Sequence, residues 1–464
     1  MAGSASQRPA ADRVSGRGIE RPAGIRPDPI QTCAALGGLN ALILNGRAEL
    51  GAESRSELGW GPLVAIAPQV VIEQRSTTPA GAAQALADFD RVLDRRRSEG
   101  GPSGCGVAVL VSYEFFNCGV RTQAHNPLPS FVAWTIDAAV RFEGAVPVAV
   151  ARAGAEPLLH GLEDRVGDWR EPPPGTDDSA LRASTAALRT SLPKARYLDA
   201  VACVKEHIRR GDIYQANLTQ RFELAWRENP VALFRRLTAS VPAPRAAFVA
   251  GCGFAVASAS PETFLSVTPA GRISTWPIKG TRRRGETPEA DLTAARELME
   301  SEKDHAELTM IVDLERNDLG RVCRAGSIRV SAPPQLRSYS AVHHLVAEVE
   351  GELVPGTSAS ELIRATFPGG SITGAPKIRA MEILRTLEPV ARDYYTGSLF
   401  WFGDDGSMDS SILIRSVILA NGVARVGAGG GVVADSEPEG EWRESNDKAR
   451  AILGVFGAVP EEAL

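Results

Sequence analysis

A chain of 464 residues with 44% hydrophobic and 23% charged side chains has ordinary soluble globular composition, enough for two or three domains or one large enzyme domain. Its net charge of −5 excludes a global basic field of the kind that binds nucleic acid or an anionic membrane. Six scattered cysteines without a Cys-x-x-Cys pair, and no apolar run of transmembrane length, set aside a zinc knuckle, a disulfide framework and a membrane span and fit a reducing cytoplasm.

Residues 1–29, rich in Arg, Pro, Gly and Ser without the apolar core of a signal peptide, are expected to form a disordered leader. An N-terminal region follows over 30–162. Its expected strands are Leu42–Asn45, Leu63–Ala67, Val70–Ile72 and Gly106–Tyr113, a hairpin of Phe131–Asp137 with Ala139–Phe142, and Val146–Arg152. Ala, Leu and Val at helical spacing predict an amphipathic helix over Pro79–Arg97. The pattern then dissolves, and the three prolines after Glu171 mark a linker over 163–191.

Over 192–458 the spacing predicts a helix at Lys194–Arg210, closed by Gly211. Strands are expected at Tyr214–Glu223, Ala246–Ala257, Glu262–Ser266 with Arg272–Ile278, Leu345–Glu350, Gly397–Phe402, Met408–Val417 and Val423–Gly427. Glu289–Glu315, Pro376–Leu387 and Gly440–Leu453 are expected to be helical. Strands and helices without strict alternation argue for a large α+β fold built on antiparallel sheets.

Several groups in this second region carry chemistry. Lys279, at the end of a β-like run, can lose hydration and become a nucleophilic amine, although a solvated loop lysine has the same local sequence. Asp304 and Glu307 share one helix face at i, i+3, as do Glu441, Glu444 and Lys448 at i, i+3 and i+7. Two acidic pairs can hold magnesium through carboxylate oxygens, or simply decorate a surface. The glycine-rich segments Gly427–Gly431 and Gly369–Lys377 are expected to be loops whose backbone N–H groups approach an anion. Neither matches a P-loop or a dinucleotide turn, so a carboxylate is the expected anion, and Arg415 can clamp one bidentately.

In order along the chain stand Pro277-Ile-Lys-Gly-Thr281, Asp304-His-Ala-Glu-Leu-Thr-Met-Ile-Val-Asp-Leu-Glu-Arg-Asn-Asp-Leu-Gly320, His344-Leu-Val, Phe367-Pro-Gly-Gly-Ser-Ile-Thr-Gly-Ala-Pro-Lys377, Tyr395-Thr-Gly397 and Gly429–Lys448. This series resembles the chorismate-utilising enzymes, which include anthranilate synthase component I and the isochorismate, salicylate and aminodeoxychorismate synthases. The resemblance implies the anthranilate synthase component I-like fold, with large antiparallel sheets packed as a sandwich and flanked by helices. It implies Mg2+ on Glu307 and Glu444, with Asp304 and Glu441 adjacent. Thr281, Tyr395, Arg415, Gly429, Gly430 and Lys448 fall where the family contacts the substrate chorismate. His344 falls on the active-site histidine, and Glu262 on the acid that protonates the departing hydroxyl.

Two positions discriminate among members. Gln215 stands where water-adding members carry a lysine base, and an amide cannot take that proton. Lys279 stands where anthranilate synthases usually have alanine and the aminodeoxychorismate-forming branch has lysine. The resemblance therefore implies amination of chorismate, with ammonia supplied by a glutamine amidotransferase subunit. An anthranilate-forming lyase and an inactive chorismate-binding subunit are the alternatives. Leu308 follows Glu307 where many relatives carry histidine or asparagine.

Overall fold

The computed structural model describes residues 13–15, 18–22, 29–35, 41–44, 62–116, 128–142, 147–167, 188–330, 334–339 and 342–460. Two antiparallel sheets form its centre, one of thirteen strands and one of nine. Both draw strands from either side of the linker. In the first, Ala41–Leu44 pairs with Arg245–Gly251; in the second, Gly106–Val111 pairs with Ser398–Gly403. Leu42, Ala108, Leu110, Trp134, Tyr394, Leu399 and Ile418 fill the space between the sheets. The expected α+β sandwich is what these pairings build.

Helices cover the outer faces. On the second sheet, Pro79–Glu99 buries Ala82, Ala85, Leu86, Phe89 and Leu93, one stripe at helical spacing. Thr78 caps it by accepting from Gly81 N, with proline in the first turn. Glu302–Leu319 and Ala359–Thr366 pack beside it. On the first sheet, Pro230–Ser240 and Pro438–Leu453 cover a core that includes Phe222, Phe234, Phe248 and Phe456. Among the described residues no helix is long and apolar enough to cross a membrane.

Several expected elements are re-divided. Phe131–Ile136 and Ala138–Arg141 do not form a hairpin: the first belongs to the nine-stranded sheet and the second to the thirteen-stranded one. A single residue, Asp137, separates them, too few for a hairpin turn, and the chain switches sheets there. Val342–Val346 and Val349–Glu352 likewise lie in different sheets. Ala246–Ala257 is a hairpin, Arg245–Gly251 with Phe254–Ser260, turned by Cys252 and Gly253 at positive φ. Glu289–Glu315 is two helices, Pro288–Met299 and Glu302–Leu319; the second starts where Ser301 accepts from Asp304 N.

The leader, expected without structure, contributes the strands Arg13–Ser15 and Gly18–Pro22. Gly18–Pro22 pairs with Val148–Arg152, whose N–H and C=O groups would otherwise form an open edge. Residues 1–12, 16–17 and 23–28 of the leader lie outside the described residues, as do 168–187 of the linker.

Candidate active site

A small third sheet carries Lys279. Ile278–Arg283 pairs with Val342–Val346, which also pairs with Gln335–Ser338. The register skips at Gly280, a β-bulge with φ +70. Gly280 lies so close to two helices that an added β-carbon would stand 2.5 Å from Leu298 Cδ1 and 2.8 Å from Asp304 Cγ. Thr281 and His344 face each other across this pair, with Oγ1 and Nδ1 3.0 Å apart. Trp276 and Val346 pack beneath the strand.

The glycine-rich segment is not a loop. Val423–Val432 is one continuous strand, paired along its whole length with Gln215–Ala225. On its other side it pairs with Ser416–Ala420 only as far as Val426. From Gly427 to Gly431 the strand is therefore covered on one edge alone, and the other edge faces a cleft. Each glycine has a steric reason. A β-carbon would lie 2.2 Å from the Tyr395 ring at Gly427, 2.2 Å from Leu218 O at Gly429, and 2.9 Å from Glu441 Oε2 at Gly430. At Gly431 it would lie 2.4 Å from Gln215 Nε2 and 3.5 Å from Lys279 Nζ.

Arg415, expected within a strand, occupies a crossing instead. Met408–Ile412 belongs to the nine-stranded sheet and Ser416–Ala420 to the thirteen-stranded one. Arg415 turns the chain between them at φ +50, a left-handed conformation that costs a non-glycine residue on the order of 1 kcal/mol. Its carbonyl accepts from Ala259 N, and its side chain enters the cleft.

The cleft encloses about 530 Å³, a volume suited to one small organic molecule. Glu262, Lys279, Thr281, Asp304, Glu307, His344, Tyr395, Arg415, Gly429, Glu441, Glu444 and Lys448 all line it. Gln215 and Gly430 stand behind the lining. Gln215 is fully buried beneath Gly431, with both amide atoms lacking a protein partner. Leu308 points away into the hydrophobic core, so its departure from the family pattern leaves the cleft intact.

Burial governs the electrostatics. It raises the pKa of Glu262, against the Ser371 hydrogen bond and the charges of Lys279, Lys448 and Arg415. Burial also lowers the Lys279 amine, with Glu307 opposing. The two shifts favour a neutral acid and a neutral amine in one cavity. Burial, then the charge of Arg415, brings His344 down to about 4, so its imidazole is neutral at physiological pH.

Four acids stand at the mouth. Asp304 pairs with Arg282 at 3.0 Å and Glu307 lies 3.8 Å from Lys303. Burial would raise Glu444, but the Lys448 ammonium at 2.7 Å holds it below its ordinary value. Lys448 also donates to Gly429 O at 3.0 Å. Glu441 Oε1 accepts from Ser436, while its Oε2 is buried without a protein partner. Among the described residues no three acidic, His or Cys side chains are packed closely enough to enclose an ion; Asp304 and Glu444 are each drawn toward a cation instead. The donor set is nonetheless all oxygen, with one orphaned carboxylate oxygen, and in kind it fits a hard divalent cation.

Asn217, Arg282, Lys303, Ser371, Ile372 and Ile414 also line the cleft and were not among the expected site residues. Ser371 falls inside the Phe367–Lys377 motif, whose glycines carry the stronger signal, and Asn217 lies two residues after Gln215. Ile414 and Lys303 carry no sequence signal.

The family described as chorismate binding enzyme matches residues 48–454. The aminodeoxychorismate synthase component 1 of Klebsiella aerogenes is 44% identical over 379 residues, 76% of this chain and 83% of that protein. An anthranilate synthase component 1 of Haloarcula marismortui is 43% identical over 282 residues, 61% of this chain and 58% of that one. The match thus spans less than two thirds of the latter relative's length. Among solved structures, anthranilate synthase component I from Streptococcus pneumoniae aligns with a TM-score of 0.71 at 26% identity, over 88% of this chain and 95% of that one. The menaquinone-specific isochorismate synthase of Escherichia coli has the same fold, with a TM-score of 0.71 at 16% identity over 97% of this chain and 96% of that chain. The chain belongs to the chorismate-binding enzyme family.

Proposed function

We propose that this chain is a cytoplasmic aminodeoxychorismate synthase component I, converting chorismate and ammonia to 4-amino-4-deoxychorismate for para-aminobenzoate and folate synthesis. The observation that carries this reading is Lys279, an amine held in a cleft with its pKa lowered by burial and sharing that cleft with the buried acid Glu262. The Lys279 amine attacks carbon 2 of the ring while Glu262 protonates the hydroxyl leaving carbon 4. Ammonia then adds at carbon 4 and expels the lysine. A covalent route of this kind splits one difficult substitution into two easier ones.

The open edge of Gly427–Gly431, with Arg415, Lys448 and Thr281, is suited to binding the substrate carboxylates. Neutral His344 is suited to hydrogen bonding within the cleft, and Tyr395 to packing against the bound ring. Magnesium would be held by Glu307 and Glu444, with Asp304 and Glu441 alongside; when bound it supplies a positive charge for carboxylate oxygens. Ammonia would come from a glutamine amidotransferase subunit. Gln215, an amide rather than an amine, argues against addition of water.

The identities to aminodeoxychorismate synthase and anthranilate synthase components are nearly equal, so an anthranilate-forming lyase is the second reading. Incubating the purified chain with chorismate, magnesium and ammonium separates the two. Aminodeoxychorismate, detected as para-aminobenzoate after a lyase is added, is the expected product. Anthranilate fluorescence without that lyase would overturn the proposal.

A further inference from the structure

Of the four acids at the mouth of the cleft, Glu441 alone has a fixed anchor and an unused buried oxygen. Its Oε1 accepts from the Ser436 hydroxyl at 2.6 Å, and Ser436 Oγ in turn accepts from Val433 N at 3.0 Å. Lys205, on the helix Lys194–Arg209, donates to Ser436 O and holds the same turn from outside. Ser436 is 2% exposed and Glu441 6%. Glu441 Oε2 points to the space over Gly430, where a β-carbon would stand 2.9 Å from it and 3.4 Å from Glu444 Oε1. Two carboxylate oxygens from one helix thus converge on one point, and only the missing side chain of Gly430 leaves room for them. A buried carboxylate oxygen without a partner is destabilising unless a ligand satisfies it.

We propose that Ser436 is the positioning residue of the divalent-cation site: it occupies Oε1 of Glu441, so that Oε2 is presented to a cation, or to one of its waters, beside Glu444. This rests on the reading of the acids as a magnesium site. An outer hydrogen bond of this type fixes the ligand's orientation before the ion arrives, and removing one typically weakens metal affinity about 10–100-fold. The neighbouring acids lack such an anchor. Asp304 and Glu444 are each held by a cation, which competes with an incoming ion.

The test is a titration of the full chain with Mn2+, free ion being followed by electron paramagnetic resonance, with and without chorismate and with ammonia omitted. Wild type is expected to bind Mn2+ saturably and to release it to Mg2+. Ser436→Ala is expected to bind about 10–100-fold more weakly, and Ser436→Thr to stay within a few-fold of wild type. Ser436→Cys, close in size but a weak donor, reports the same loss should the alanine variant fail to fold. Equal affinity in wild type and in the Ala or Cys variant overturns the positioning role alone. No Mn2+ binding by wild type in either condition overturns the cation site and the role of Ser436 with it.

Discussion

The Ser371 hydroxyl donates a 2.5 Å hydrogen bond to Glu262 Oε1, between two buried residues 109 positions apart in sequence. Burial raises the Glu262 pKa, and this bond, with Lys279, Lys448 and Arg415, pulls it back. An acid that must be protonated is active below its pKa and loses activity as pH rises through it. Ser371→Ala removes a bond that favours the carboxylate, so the alkaline limb of kcat/KM against pH should move upward. Glu262→Gln should lower kcat/KM by about 10²–10⁴ at all pH values. An unshifted limb in Ser371→Ala argues that Glu262 is not the titrating acid.

Lys279 titrates in the opposite sense. Burial lowers its pKa, and its neutral form is the nucleophile, so activity should rise as pH climbs through that value. With chorismate and no ammonia, intact-mass spectrometry should detect a covalent adduct on wild type and none on Lys279→Ala. The variant should lose roughly a hundredfold in turnover, a barrier increase of about 2.7 kcal/mol. Full turnover in Lys279→Ala at low ammonium would favour direct attack by ammonia.

The glycine wall predicts a separation of stability from binding. A β-carbon at Gly427 meets the Tyr395 ring at 2.2 Å, so Gly427→Ala should destabilise the fold by about 1–3 kcal/mol in a denaturant titration. At Gly431 the nearest atoms belong to the Gln215 amide, with Lys279 Nζ 3.5 Å away. Gly431→Ala should therefore raise KM for chorismate and slow the Lys279 step more than it lowers the unfolding midpoint.

Glu315 and Glu114 are buried carboxyls outside the proposed chemistry, each raised by burial to about 8 from an ordinary 4.5. Between those values the unfolded chain binds fewer protons than the folded one, so stability falls as pH rises from about 4.5 to 8. The slope is roughly 1.4 kcal/mol per pH unit for each group. Glu315→Gln, which retains an acceptor for the Thr275 hydroxyl at 3.0 Å, should flatten part of that decline in melts recorded against pH.

That Lys279, Glu262 and His344 would share one cleft is legible because each sits in a motif whose neighbours constrain it. Acidic residues at i, i+3 were legible because a helix has one period. What stayed hidden was pairing. A run of alternating residues reads the same whether it continues in one sheet or crosses to another, so Met408–Val417 looked like one strand and Arg415 like a member of it. Five positions almost free of side chains read as a loop, because nothing in Gly427–Gly431 announces that Gln215–Ala225 will supply hydrogen bonds along one edge. Ser371 and Ser436 carry no sequence signal for a related reason. A hydroxyl has no local signature when its partner is Glu262, far away in sequence, or an acid whose free oxygen matters more than the bonded one.

A cleft wall made of backbone has a consequence for divergence. Side chains can be exchanged one codon at a time, but the N–H and C=O groups of Gly427–Gly431 remain whatever residue is encoded, and the glycines themselves are held by steric contact. A chain that keeps this strand therefore keeps the same backbone surface toward the cleft, and side-chain variation reaches the cleft from the opposite side. Lys279 and Gln215, which flank Gly431, are the side chains that meet this backbone surface where the strand ends.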